Sequence, residues 1–192
     1  MKRKTTILLT LGVLGVFVAG YMLSFMACAT HIREAKPRTP AKVKLGTYQQ
    51  VYMVNTTIDP KFAKSGENQR ATKKINEDLI ACMKKIYPGL QVVDSPNVSV
   101  EPGAQGMVIM PNVIQIKFIS AAGRVMVGAA AGNSGVLMQV IYKDLATGNV
   151  VADPEFFARA NAMGGAYSFG VTDNMMLLRI AEDICQYTKE NY

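Results

Sequence analysis

Three cysteines and one histidine are all the thiol and imidazole chemistry in this sequence, so their positions decide which reactions are open to it. His31 stands beside a charge-free apolar run rather than within the remainder of the chain, which makes Ser-His-Asp and Cys-His nucleophilic catalysis and any histidine-based metal site improbable. Carboxylates remain, but no D-x-D, H-x-E or E-x-x-H spacing sets two ligands on one metal. Glu182 and Asp183 are adjacent on a predicted helix and point to different faces, as solvated side chains do. The residue types therefore predict a non-catalytic protein with no metal and no cofactor. A carboxylate-based hydrolase is the weaker alternative, since acid–base work without histidine needs a tuned carboxylate pair that the sequence does not display.

The third kind of chemistry is covalent attachment. After Met1-Lys-Arg-Lys4 the chain carries no charge from Thr5 to Ala27, longer than the apolar core of a signal peptide and long enough to cross a bilayer as a helix. The run closes on Phe25-Met26-Ala27-Cys28, which resembles a bacterial lipobox and makes Cys28 the candidate lipidation site; Phe25 stands where that pattern prefers Leu. Two other outcomes stay open: cleavage at the A-x-A site Ala27-Cys28-Ala29, or retention as an uncut span.

Charge follows the same geography. Eight basic residues against one acidic between residues 1 and 46 account for the whole formal net charge of +7, leaving the rest of the chain neutral. A nucleic-acid-binding domain gathers cations where phosphates lie, so nucleic acid is excluded as a partner. Basic residues on both sides of the apolar run suit lipid head groups, although five after an uncut span would oppose export under the positive-inside rule. The expected organisation is a signal peptide or membrane anchor at 1–29, a basic Pro-containing tether at 30–44, and a single domain at 45–192.

Within that domain, periodicity places the elements. Tyr48–Asn55 and Leu90–Asp94 read as short strands, and Glu67–Tyr87 as a helix with Ile75, Leu79, Cys82, Met83 and Ile86 on one face, stopped by Pro88-Gly89. Ile114, Ile116 and Phe118 alternate with Gln115 and Lys117, and Val136–Asp144 is apolar on nearly both faces, as a central strand is. Asp144-Leu-Ala-Thr-Gly148 is a turn leading into a returning strand at Val150. Met176, Leu177, Ile180, Ala181 and Ile184 trace a C-terminal helix, with Thr172 or Asp173 as the expected cap. The predicted fold is α+β: a mainly antiparallel sheet of about five strands with two helices packed on it.

The glycine-rich run from Gly123 to Gly135 lacks the Lys of a phosphate loop and shows no helix after it to receive a pyrophosphate. It reads as a close-packed turn or bulged strand edge, with the loop Ala162–Gly170 beside it as a flexible rim. Arg124, Gly128, Gly132, Gly135, Gly164 and Gly165 are accordingly the candidate partner-binding residues, adaptable backbone next to a rigid sheet. Cys82 and Cys185 are an even pair on the two predicted helices, able to close a disulfide in an oxidising compartment; two buried thiols packed as small apolar groups are the equal alternative.

Arg124, the Gly128–Gly135 run, the apolar strand Val136–Val151 carrying D-x-x-T-G-x-V-V, Gly164-Gly165 and the amphipathic Thr172–Tyr187 together resemble the bacterial envelope lipoproteins of the domain-of-unknown-function 4410 type. The resemblance covers about residues 45 to 190 and implies a signal-bearing envelope protein without known catalysis. The expected function is then a membrane-tethered lipoprotein on the periplasmic face of the outer or inner bacterial membrane, acting as a non-catalytic binding or assembly factor. Its expected partners are membrane lipid through the N-terminus, an envelope protein, and a further copy of itself. A single-span subunit of an inner-membrane complex is the alternative.

Overall fold

Ser65 starts the first long helix: its Oγ accepts the Asn68 N–H at 3.3 Å, satisfying a donor that the first turn leaves without a helical partner. Helix α1 (Gly66–Ile86) then carries Glu67 in its first turn and Lys84 and Lys85 in its last, the charge order that its dipole favours. It ends where Tyr87 precedes Pro88, since proline disfavours helical backbone in the residue before it. Ala71, Ile75, Leu79 and Met83 recur every four residues and form its buried face.

The computed structural model describes residues 32–101, 103–127, 132–161 and 171–192, all within the compact unit Ile32–Tyr192. Among them are the strands β1 (Gln50–Val54), β2 (Thr57–Ile58), β3 (Gln91–Val93), β4 (Gly106–Lys117), β5 (Ser134–Asp144), β6 (Val150–Ala152) and β7 (Glu155–Ala160). The remaining helices are α2 (Ala121–Val127) and α3 (Val171–Glu190). The sheet runs β3-β1-β4-β5-β6, with β2 continuing the rank of β1 beside β4 and β7 continuing that of β6 beside β5.

Among the described residues the sheet is mixed and has seven strands, and α2 adds a third helix, which corrects the expectation of a mainly antiparallel sheet of about five strands with two helices. β1 is parallel to β3 and β4, and β2 to β4, whereas β4, β5 and the β6/β7 rank are antiparallel. The chain between β1 and β3 passes through α1, and such a crossover returns it in the same direction. Alternation along a strand reports that one face is buried; it carries no information on the direction of the neighbour.

One face of the sheet packs on α1 and α3. Met53, Met107, Ile109, Met138 and Val140 form one buried core with Ile75, Leu79, Met83, Met176, Ile180 and Ile184. The opposite face carries a smaller cluster of Tyr52, Val54 and Val108. A bulge in β4 leaves Ile114 without a partner on β5, so Val113 and Ile116, three residues apart, both reach the helix side. That extra residue is why the simple alternation put Ile114 on the core face. The β5–β6 hairpin follows its turn chemistry: Asp144 accepts the Thr147 N–H at 2.7 Å and Gly148 takes φ +72°.

Candidate functional site

Of the residues singled out by sequence, Cys28, Gly128, Gly164 and Gly165 lie outside the described residues. Arg124 lies on α2, a helix that the glycine-rich composition concealed. Its side chain is turned inward: Nε and Nη2 donate to the Asp173 carboxylate at 3.0 and 2.7 Å, and Nη1 donates to the Gly132 carbonyl at 2.7 Å. Both ionic side chains are 0% exposed. Asp173, expected as a helix cap, instead sits in the first turn of α3 and serves as the counter-ion.

Arg124 and Gly132 are thus brought together, and Gly135 follows in β5. Gly132 has φ +83°, a backbone that side-chain-bearing residues rarely adopt, and Arg124 holds its carbonyl. At Gly135 a Cβ would lie 3.1 Å from Ile32 Cδ1, so glycine admits the entering chain at this point. Cys82 and Cys185 are joined as a disulfide across α1 and α3, with Cα atoms 6.3 Å apart, under a groove lined by Lys85, Glu182, Gln186 and Lys189.

Residues 32–44, the Pro-containing stretch, form a strap on the domain. Ile32 packs on Gly135, and the Arg33 N–H donates to Gln115 Oε1 at 3.1 Å. Arg33 Nη1 and Nη2 grip the two oxygens of Glu155 at 2.6 and 2.7 Å, and the Lys36 N–H adds a third bond at 3.1 Å. The Arg33 bonds are the main reason that the buried Glu155 carboxyl is held down at about 2. Further on, Arg38 pairs with Asp183 at 2.8 Å and lies 5.0 Å from the Phe156 ring centroid. Tyr187 Oη donates to the Thr39 carbonyl, and the Lys42 N–H to Val151 on the outer rank of the sheet. One 3-10 turn, Leu45–Thr47, ends the strap beside the C-terminus of α3, where the Leu45 N–H meets the Asn191 carbonyl.

A second feature escaped sequence reading. Val125, Met126 and Val127 follow buried Arg124 and are exposed, Met126 at 85%. On α3, Val171, Met175 and Leu178 recur at i, i+4 and i+7 and are also exposed, forming an outer apolar stripe separate from the core stripe. That spacing was a readable signal, overshadowed by the core residues beside it. Among the described residues, no group of three His, Cys, Asp or Glu side chains is placed to hold a metal ion, and no helix is long and apolar enough to cross a membrane.

No family model matches the chain, so the resemblance drawn from its motifs stands on those motifs alone. No curated protein matches it either. Among solved structures, a single-residue variant of PelC from Paraburkholderia phytofirmans, described as a dodecamer, is similar at 11% identity and TM-score 0.47, over 77% of this chain and 96% of that one. A Xanthomonas campestris protein of the domain-of-unknown-function 330 family is similar at 8% identity and TM-score 0.45, over 82% and 91%. A hypothetical protein of Chlamydia trachomatis follows at 11% identity and TM-score 0.40, over 74% and 100%. Likeness at this level carries no inference about what the chain does.

Proposed function

We propose that this chain is a membrane-tethered protein of the bacterial envelope, its domain on the periplasmic face, acting by binding or assembly and not by catalysis. The observation that carries the reading is the strap. Only three residues separate Cys28 from Ile32, where packing on the domain begins. Four peptide steps span at most about 14 Å, so an anchor at Cys28 holds the domain close to the bilayer instead of on a long leash. Such confinement raises the effective concentration of the domain at the membrane and lets a weak contact with an envelope component suffice.

The test is the intact mass of the full chain, extracted from membranes. A mass beginning at Cys28 with added acyl groups establishes the lipoprotein. An unmodified chain beginning at Met1 establishes a retained span and favours the single-span subunit. A soluble chain beginning at Thr30 overturns the tether.

A further inference from the structure

We infer that the apolar end of the domain formed by α2 and the start of α3 docks on the lipid surface itself; this rests on the tethered reading above. Two groups of exposed apolar side chains lie on these helices: Val125, Met126 and Val127 on α2, and Val171, Met175 and Leu178 on α3. Exposed apolar groups gathered in this way mark contact surfaces in water-soluble domains. They are also held in place from within, since the buried Arg124–Asp173 pair ties the helix bearing the first three to the helix bearing the others.

The occupant follows from where the chain enters. Ile32 packs on Gly135 at the start of β5, and β4 ends at Lys117, just before α2 begins at Ala121. The Ile119 N–H donates to Ser134 Oγ at 3.0 Å, which fixes the approach to α2 against the start of β5. The described chain therefore enters the domain at the end of the sheet from which α2 follows, and a short link from an anchor to Ile32 favours presenting that end to the bilayer.

Charge agrees with this orientation. Gly135 is in register with Arg159, an exposed basic residue beside the entry of the chain. Glu67 and Asp173 at this end are taken up by Ser120 and Arg124. Apolar side chains next to basic ones suit the boundary of an anionic leaflet, where the former enter the acyl region and the latter meet phosphate. A protein groove would require no such coincidence with the anchor.

The sequence contains no tryptophan, so one introduced residue reports alone. Met126→Trp places the reporter on the apolar end, at a side chain exposed enough to change without disturbing the core. Ala146→Trp places it on the exposed β5–β6 turn, at the opposite end of β5. Each full-length variant is reconstituted in vesicles of phosphatidylethanolamine and phosphatidylglycerol, with and without brominated acyl chains. The expected result is that Met126→Trp emission shifts to the blue and is quenched by the brominated chains, while Ala146→Trp shows neither effect. A chain that sediments with the vesicles but leaves Met126→Trp open to aqueous iodide keeps the tether and overturns the docking. Shielding from iodide without quenching by brominated lipid also overturns it, in favour of coverage by a second copy. A chain that fails to sediment with vesicles overturns the tether and the docking together.

Discussion

The guanidinium of Arg124 and the carboxylate of Asp173 meet through two hydrogen bonds in a site closed to solvent, 49 residues apart in the chain. Removing one partner leaves the other charge buried and unpaired, which costs about 3–5 kcal/mol, whereas replacing both by apolar residues of similar volume is often neutral. Arg124→Met alone and Asp173→Leu alone should each lower stability by about that amount, and the double variant should recover most of it. Urea unfolding of the detergent-solubilised chain reads the cycle. Additive losses in the double variant would show that the pair is not what holds α2 to α3.

Glu155 supplies a pH dependence whose sign is fixed by its bonds. Arg33 is the main cause of its descent to about 2 from an ordinary value of 4.5. A carboxylate lowered on folding adds stability that is complete above the unfolded value and is lost as pH falls through the folded one. The strap should therefore loosen between about pH 4.5 and 2, seen as faster hydrogen exchange at residues 32–44 than in α1. At neutral pH, Glu155→Gln should open the Arg33–Glu34 bond to trypsin while the far-ultraviolet circular dichroism stays unchanged. A strap that stays resistant in this variant would mean that its other contacts suffice.

The disulfide between Cys82 and Cys185 closes a loop with a sequence separation of 103. Long loops confine the unfolded chain strongly, and bridges of this kind typically contribute about 2–4 kcal/mol. Reduction, or Cys82→Ala with Cys185→Ala, should lower the unfolding midpoint while leaving the native sheet intact. Equal midpoints with and without reductant would remove the bridge from the account of stability.

A subtler pair lies beneath α3. Tyr142 Oη and Thr188 Oγ1 are 2.6 Å apart and buried, and Thr188 donates to the Ile184 carbonyl at 2.9 Å. Thr188 is thereby left to accept the tyrosine proton. Tyr142→Phe removes a donor and leaves Thr188 bonded to Ile184, so a loss of only about 0.5–1.5 kcal/mol is expected. Thr188→Val strands a buried Tyr142 hydroxyl and should cost more, about 1–3 kcal/mol. Comparing the two denaturation curves checks the assignment, and the reverse order would mean that the donor is misassigned.

Much of the secondary structure was legible because its signals are local. Ile75, Leu79 and Met83 mark α1 by their spacing, Asp144 to Gly148 mark the hairpin by turn chemistry, and the core stripe of α3 is visible from Met176 to Ile184. α2 was hidden because Gly123 and the glycines that follow at 128, 132 and 135 argue for a loop, while a buried salt bridge to a distant helix holds the turn. The strap was misleading for a similar reason: Pro37 and Pro40 do exclude helix, but an extended chain with no internal hydrogen bonds is still free to bond outward, and here it does so along the β7/β6 rank.

The sequence by itself determined the charge-free run ending near Cys28, the confinement of net charge to residues 1 to 46, and the periodic faces of α1 and α3, since each is a property of neighbouring residues. Tertiary structure alone decided the mixed direction of the strands, the capture of Arg33 by Glu155 across 122 positions, the inward turn of Arg124, and the coincidence of the apolar end with the entry of the chain. Those depend on which distant segments become neighbours. Periodicity records that a side chain will be buried, but the partner it meets there is selected by the packing of the whole domain.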